Sequence, residues 1–217
     1  MIQKMLLGAA AVTLLAGSAG AADLAVKAMP QQAAPFIASP WDGLYIGGNV
    51  GFGSTDFSAA ASIFGLSGTD SVTGSGVVGG VQAGYNKTFG SFLLGLETDF
   101  DATSISNTTG GVETKLPWFG TTRIRAGFLL TPALLFYGTG GVAYGHAEIS
   151  APDASITVPG VGWAAGAGLE WKFAPQWSIG AEYLHVELDG PNANIGPVTF
   201  TTKATTDLGR GTVNFHF

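Results

Sequence analysis

The chain has no cysteine. That excludes disulfides, thiolate chemistry, cysteine-ligated metals and a lipid anchor on a cysteine after the leader. Charge is scarce too, at 11% of residues, with nine Lys and Arg against fifteen Asp and Glu. A net charge of −6 excludes the basic footprint that nucleic acid requires. After residue 21 there is no apolar run of about 18 residues, so no transmembrane helix is predicted. The three histidines show no metal-site spacing, so neither metal nor cofactor is expected.

What is present is apolar all the same. Hydrophobic residues make up 46%, there are 34 glycines, and the mean hydropathy is positive. An apolar chain without helical spans leaves a closed β-barrel as the way to satisfy the backbone in lipid. The N-terminus reads as a secretory signal peptide over residues 1–21. Lys4 gives the positive start, Met5 to Ala16 the apolar stretch, and Ala19-Gly20-Ala21 a small-x-small cleavage site. An N-terminal anchor is the alternative, but the apolar run is short for a span. Residues 22–40, rich in Ala, Pro and Gln, read as a periplasmic leader, and 41–217 as the barrel domain.

Eight strands are predicted: roughly Asp42–Ser54, Val77–Lys87, Ser91–Ser104, Leu116–Leu130, Ala133–Ile149, Gly160–Phe173, Gln176–Leu188 and Lys203–Phe217. Each is long enough to cross a tilted barrel wall. Thr88-Phe89-Gly90, Thr131-Pro132 and Ala174-Pro175 read as tight turns. The other four links, at 55–76, 105–115, 150–159 and 189–202, read as long polar loops. Short turns on one side and long loops on the other mark an up-and-down, antiparallel, eight-stranded transmembrane barrel in the outer membrane. An even strand count places both barrel ends in the periplasm.

Alternation assigns the faces. Val81 and Tyr85, Ile124 and Phe128, Trp163 and Trp171, and Val213, Phe215 and Phe217 face lipid. Gln82, Arg123, Arg125, Glu170, Lys172, Arg210 and His216 face the lumen. Aromatics gather at strand ends: Tyr85, Phe92, Phe128, Phe136, Phe173, Trp177 and Phe217 beside the turns, Phe52, Phe100, Trp118, Tyr144, Trp163 and Tyr183 nearer the loops. Such rings are interfacial girdles. A soluble lipocalin-like barrel would reverse the faces. The strand Val213-Asn214-Phe215-His216-Phe217, ending on an aromatic, is the expected barrel-closing strand and the expected handle for the barrel-assembly machinery.

The chain resembles the small eight-stranded, porin-like outer membrane protein β-barrel family of alphaproteobacteria. The likeness rests on Trp41-Asp42-Gly43-Leu44-Tyr45-Ile46-Gly47-Gly48, Gly84-Tyr85-Asn86 and Gly95-Leu96-Glu97-Thr98-Asp99. It continues in Thr122-Arg123-Ile124-Arg125-Ala126-Gly127, Tyr137-Gly138-Thr139-Gly140-Gly141-Val142-Ala143-Tyr144-Gly145 and Gly180-Ala181-Glu182-Tyr183. It implies a surface protein that supports integrity of the Gram-negative cell envelope, not a defined reaction. It brings no catalytic residues.

The residues that could carry chemistry lie mainly in the lumen. Glu97, Asp99, Asp101, Glu170 and Glu182 face Arg123, Arg125, Lys172 and Arg210. One reading is a charged constriction of a narrow passive channel. The other is a self-satisfying ionic core, because eight strands enclose little more than their own side chains. Gly138-Thr139-Gly140-Gly141 and Gly166-Ala167-Gly168 lack the Lys-Ser or Lys-Thr of a phosphate loop. They are expected to make room for large inward neighbours such as Tyr45 and Tyr137. His146, Ser150 and Asp153, with His185 and Glu187, raise the idea of a rim-located lipid hydrolase. Asn107-Thr108-Thr109 fits a glycosylation sequon but would not meet that machinery. Ile63, Phe64 and Leu66 in the first loop would dock a partner, fold over the mouth, or belong to a mobile surface loop. The expected partners are outer-membrane lipid and lipopolysaccharide, the assembly machinery, and an unidentified surface ligand met by the loops.

Overall fold

The structure, a computed structural model, describes residues 39–217 except 64–65, 110–111, 152–153, 191–192 and 196–197. The predicted signal peptide and residues 22–38 of the leader fall outside the described residues, as do Phe64, Asp153 and the side chains of Ile63 and Leu66.

Long antiparallel strands run up and down the chain: β1 (Gly43–Ile63), β2 (Leu66–Phe89), β3 (Phe92–Thr109), β4 (Val112–Thr131), β5 (Leu134–Ala151), β6 (Ala154–Ala174), β7 (Trp177–Asp189), the short β8 (Ala193–Ile195) and β9 (Val198–His216). Each long strand pairs with the next, and β7 pairs with β9. Strand β9 closes on β1, from Tyr45↔His216 to Ile63↔Val198. Eight strands therefore form the ring, each paired on both sides through its middle stretch. Strand β8 folds back on the outer stretch of β9.

The short turns fall where Gly and Pro punctuate the sequence, at Gly90-Ser91, Pro132-Ala133 and Pro175-Gln176. Gly90 has φ +65°, a left-handed conformation that a side chain resists. Beside this end, Asp42 accepts bonds from Lys87 Nζ (2.5 Å), Thr88 N (2.7 Å) and Thr88 Oγ1 (2.6 Å). Partial burial works to raise the Asp42 pKa. The bonds from Lys87 and Thr88 outweigh it and hold the carboxyl below its usual range.

At the opposite end the structure corrects the sequence reading. The four predicted long loops are mostly strand. β1 and β2 stay paired up to Ile63↔Leu66, and β5 and β6 up to Ala151↔Ala154. A crossing needs about 9–11 residues, whereas β1 has 21 and β2 has 24. The excess continues the wall beyond the apolar band. On β1 the outward series Leu44, Ile46, Val50, Phe52 gives way to Ser54 and Asp56. With water outside, that stretch loses its greasy alternation and reads as loop, although its hydroxyls bond across strands, as Thr55 Oγ1 does with Thr206 Oγ1 (2.7 Å).

Candidate functional site: the barrel lumen

Alternation sends one side chain in two inward, and the inward rows of five strands bring the lumen charges together. β3 supplies Glu97, Asp99 and Asp101; β4 supplies Arg123 and Arg125; β6, β7 and β9 supply Glu170, Glu182 and Arg210. All are buried. Arg123 Nη2 donates to Glu97 and Asp99 (2.7 Å each), Nη1 to Glu182 (2.6 Å) and Nε to Thr121 Oγ1 (2.8 Å). Arg210 Nε donates to Glu182 (2.7 Å), Nη1 to Asp101 (3.0 Å) and Nη2 to Asp99 (2.9 Å). Arg125 reaches Tyr45 Oη (2.8 Å), Glu97 (3.2 Å) and Glu170 (2.6 Å), with its guanidinium 3.9 Å from the Tyr137 ring centre. Glu170 also accepts from Ser178 Oγ (2.5 Å) and Asn214 Nδ2 (2.9 Å). Each guanidinium is shared among carboxylates, the geometry in which a buried ion is compensated.

Glycines make this layer possible. A Cβ at Gly84 would stand 2.5 Å from the Tyr45 ring, and one at Gly168 2.6 Å from the Tyr137 ring. Both distances are closer than packed atoms tolerate.

Apolar layers lie on either side of the charges. Toward the short turns, Trp41, Leu93, Leu135 and Tyr137 form a floor, with Trp41 Nε1 donating to the Pro132 carbonyl (3.0 Å). Lys172 sits at this floor, apart from the network. Its Nζ donates to the Pro175 carbonyl (3.2 Å) and lies 5.1 Å from the Trp41 ring. Toward the long hairpins, Phe119, Leu116, Ile105, Leu184, Val186, Leu188 and Leu208 form a second apolar layer. The sequence reading missed both layers. Leu184, Val186 and Leu188 share the parity of Glu182, and Phe119 that of Arg123, so the alternation that placed the charges also placed them.

The girdle residues Tyr85, Phe128, Trp163, Trp171, Trp177 and Phe217 are exposed on the outer wall. Phe92, Trp118 and Phe215 are half-buried there by ring contacts with Phe128 (5.4 Å), Phe100 (5.2 Å) and Trp177 (5.1 Å). Such paired rings at the two margins of an apolar band suit a bilayer interface.

At the rim, His146 Nε2 faces Glu148 (3.4 Å) and Ser150 Oγ faces Ser155 Oγ (3.2 Å). Four residues along one strand separate His146 from Ser150, about 13 Å, so the two do not form a nucleophile–base pair. His185 Nδ1 lies 2.7 Å from Asp207, which also accepts from Tyr183 Oη (2.5 Å). A different Ser–His–acid trio sits inside: Ser178 Oγ touches both His216 Nε2 (3.0 Å) and Glu170, and all three are buried. The serine proton points at the glutamate, and no substrate reaches it. The trio belongs to the packing of the ionic layer.

A lumen of charges, sealed by apolar layers and wrapped in an oily wall, narrows the comparison to membrane barrels. Residues 9–207 match the family model described as Outer membrane protein beta-barrel domain. The chain belongs to this family. Curated relatives of the outer membrane protein β-barrel family bear this out. The 31 kDa outer-membrane immunogenic protein of Brucella melitensis is 38% identical, over 87% of this chain and 89% of its own length. The 22 kDa outer membrane protein of Rhizobium leguminosarum is 28% identical, over 79% of this chain and 75% of its own. Among solved structures, Neisserial surface protein A is similar at 14% identity and a TM-score of 0.49, over 81% of this chain and 98% of that one. As in the rest of the outer membrane protein β-barrel family, the location is the outer membrane.

Proposed function

We propose that the protein is a closed surface barrel that supports the envelope and presents its long hairpins outward, without catalysing a reaction. The observation that carries this reading is the blocked lumen, with the Trp41 floor, the ionic layer and the layer of Leu184 and Phe119 stacked across it. Each arginine and carboxylate of the middle layer is bonded to another part of the barrel. Opening a path for ions would strand carboxylates without their arginines, at roughly 3–5 kcal/mol for each broken pair. The outward girdles suit outer-membrane lipid and lipopolysaccharide as the standing partners. The hairpins stand clear of the apolar band and offer the surface that a ligand or an antibody would meet. The Brucella relative is named immunogenic, which accords with such exposure.

Two measurements test the proposal. In planar bilayers the wild type and Arg123→Ala are both expected to show negligible conductance; large, stable single channels from the wild type would reverse the reading in favour of a passive pore. A deletion strain is expected to leak detergent and dye while keeping its solute uptake. Lipid A profiles that change on deletion would bring back the hydrolase.

A further inference from the structure

Above the second apolar layer the barrel holds a cavity of about 190 Å³. Phe57, Val72, Leu116, Ile149, Val158 and Leu188 line it, from six different strands. Leu116 and Leu188 also belong to the apolar layer beneath, so the cavity has a closed, greasy floor. The charged groups near it are already engaged. The Asp70 carboxylate accepts from the Ser71 amide (2.9 Å), Lys203 pairs with Glu187 (2.8 Å), and His146 faces Glu148.

The geometry points to a binding cup for one small, uncharged, apolar molecule arriving from the outer side. Three features fix that chemistry. The lining is mostly hydrocarbon, with the hydroxyls of Ser58, Thr114 and Thr202 among it, and the charges near it already face partners of opposite sign or a backbone amide, which disfavours fatty-acid anions and phosphates. The size sets the scale. An enclosed apolar cavity of about 150 Å³ accepts benzene, so the walled part of this one has room for a ring with a short alkyl substituent. The closed floor makes the cup a dead end, and an occupant leaves by the route it entered. This is capture without transit, a property separate from envelope support.

The test uses the full chain folded in phospholipid nanodiscs, labelled at Ile, Leu and Val methyls and titrated with ethylbenzene. Saturable shifts are expected at Val72, Leu116 and Leu188. The lipid-facing Val81 and Leu169 should drift without saturating as the probe partitions into the bilayer. Ala147→Trp and Ala59→Trp each push an indole into the cup from a different strand. Each is expected to weaken the apparent affinity by at least about tenfold, while the methyl shifts of Leu93 and Leu135 in the floor beneath the ionic layer stay as in the wild type. The use of two variants guards against one failing to fold. The inference is overturned if the cup methyls do not saturate, or if they move in step with Val81. It is also overturned if they show contacts to the chain's own hairpin tip and no response to the probe.

Discussion

The lower and upper halves of this barrel are built on opposite rules. Around Arg123 and Glu182 the wall is oily outside and ionic inside. Further along β7, Leu184, Val186 and Leu188 point inward while His185, Glu187 and Asp189 point outward. There this strand is polar outside and oily inside. On β9 the same exchange runs from Val213 outside and Arg210 inside to Asp207 outside and Leu208 inside. Solvent explains it. Lipid bathes the lower half and rewards an apolar exterior, and above the Trp41 floor it leaves the middle of the core to polar groups that satisfy one another. Water bathes the upper half, where the ordinary hydrophobic effect drives apolar side chains to the centre.

The largest expected effect comes from breaking the lower core. Arg123→Ala takes a shared partner from Glu97, Asp99 and Glu182 at once and should cost roughly 3–5 kcal/mol, read from urea unfolding in lipid vesicles. In the upper core Leu184→Ala leaves a cavity instead of an under-compensated cluster of charge. Its expected cost is about 2–4 kcal/mol by the same measurement. A cost for Leu184→Ala that matched or exceeded that of Arg123→Ala would erase the distinction between the two interiors. The outer faces can be compared in the same way. Val81→Arg puts a cation against lipid and should cost about 2–4 kcal/mol, while Ser71→Arg, on the outward face of the same strand but beyond the apolar band, should be near neutral. Equal penalties would mean that the bilayer covers the extension as well. The smallest effect is expected at the turn end, with Asp42→Asn. The folded-state pKa of Asp42 is depressed, so its contribution is present above the unfolded value and is lost as pH falls through the folded one. The variant should lower the unfolding temperature slightly at pH 7, and the difference should vanish well below about pH 4.

Much of this was legible in the residues. The alternation Arg123-Ile124-Arg125 declares one polar and one apolar face, and Trp163 to Trp171 does the same on β6. Which charges meet was not legible. Arg123 and Glu182 are 59 residues apart, and Arg210 and Asp99 are 111 apart. Their contact depends on ring closure and strand register, which no local pattern encodes. Trp41 marks the start of the barrel domain by sequence, yet its role as part of the floor depends on Pro132, 91 residues away. The hairpins read as loops because polar residues on a water-facing wall imitate loop composition.

The sequence by itself determined that the strands alternate and close into a barrel with a greasy outer band, because a period of two fixes each side chain's face and lipid admits no unpaired backbone. Only the tertiary structure decided how the interior is layered, which carboxylate holds which arginine, and that the upper wall continues past the membrane to enclose a cup. Those features come from side chains of distant strands meeting across a space only about one residue deep from every side.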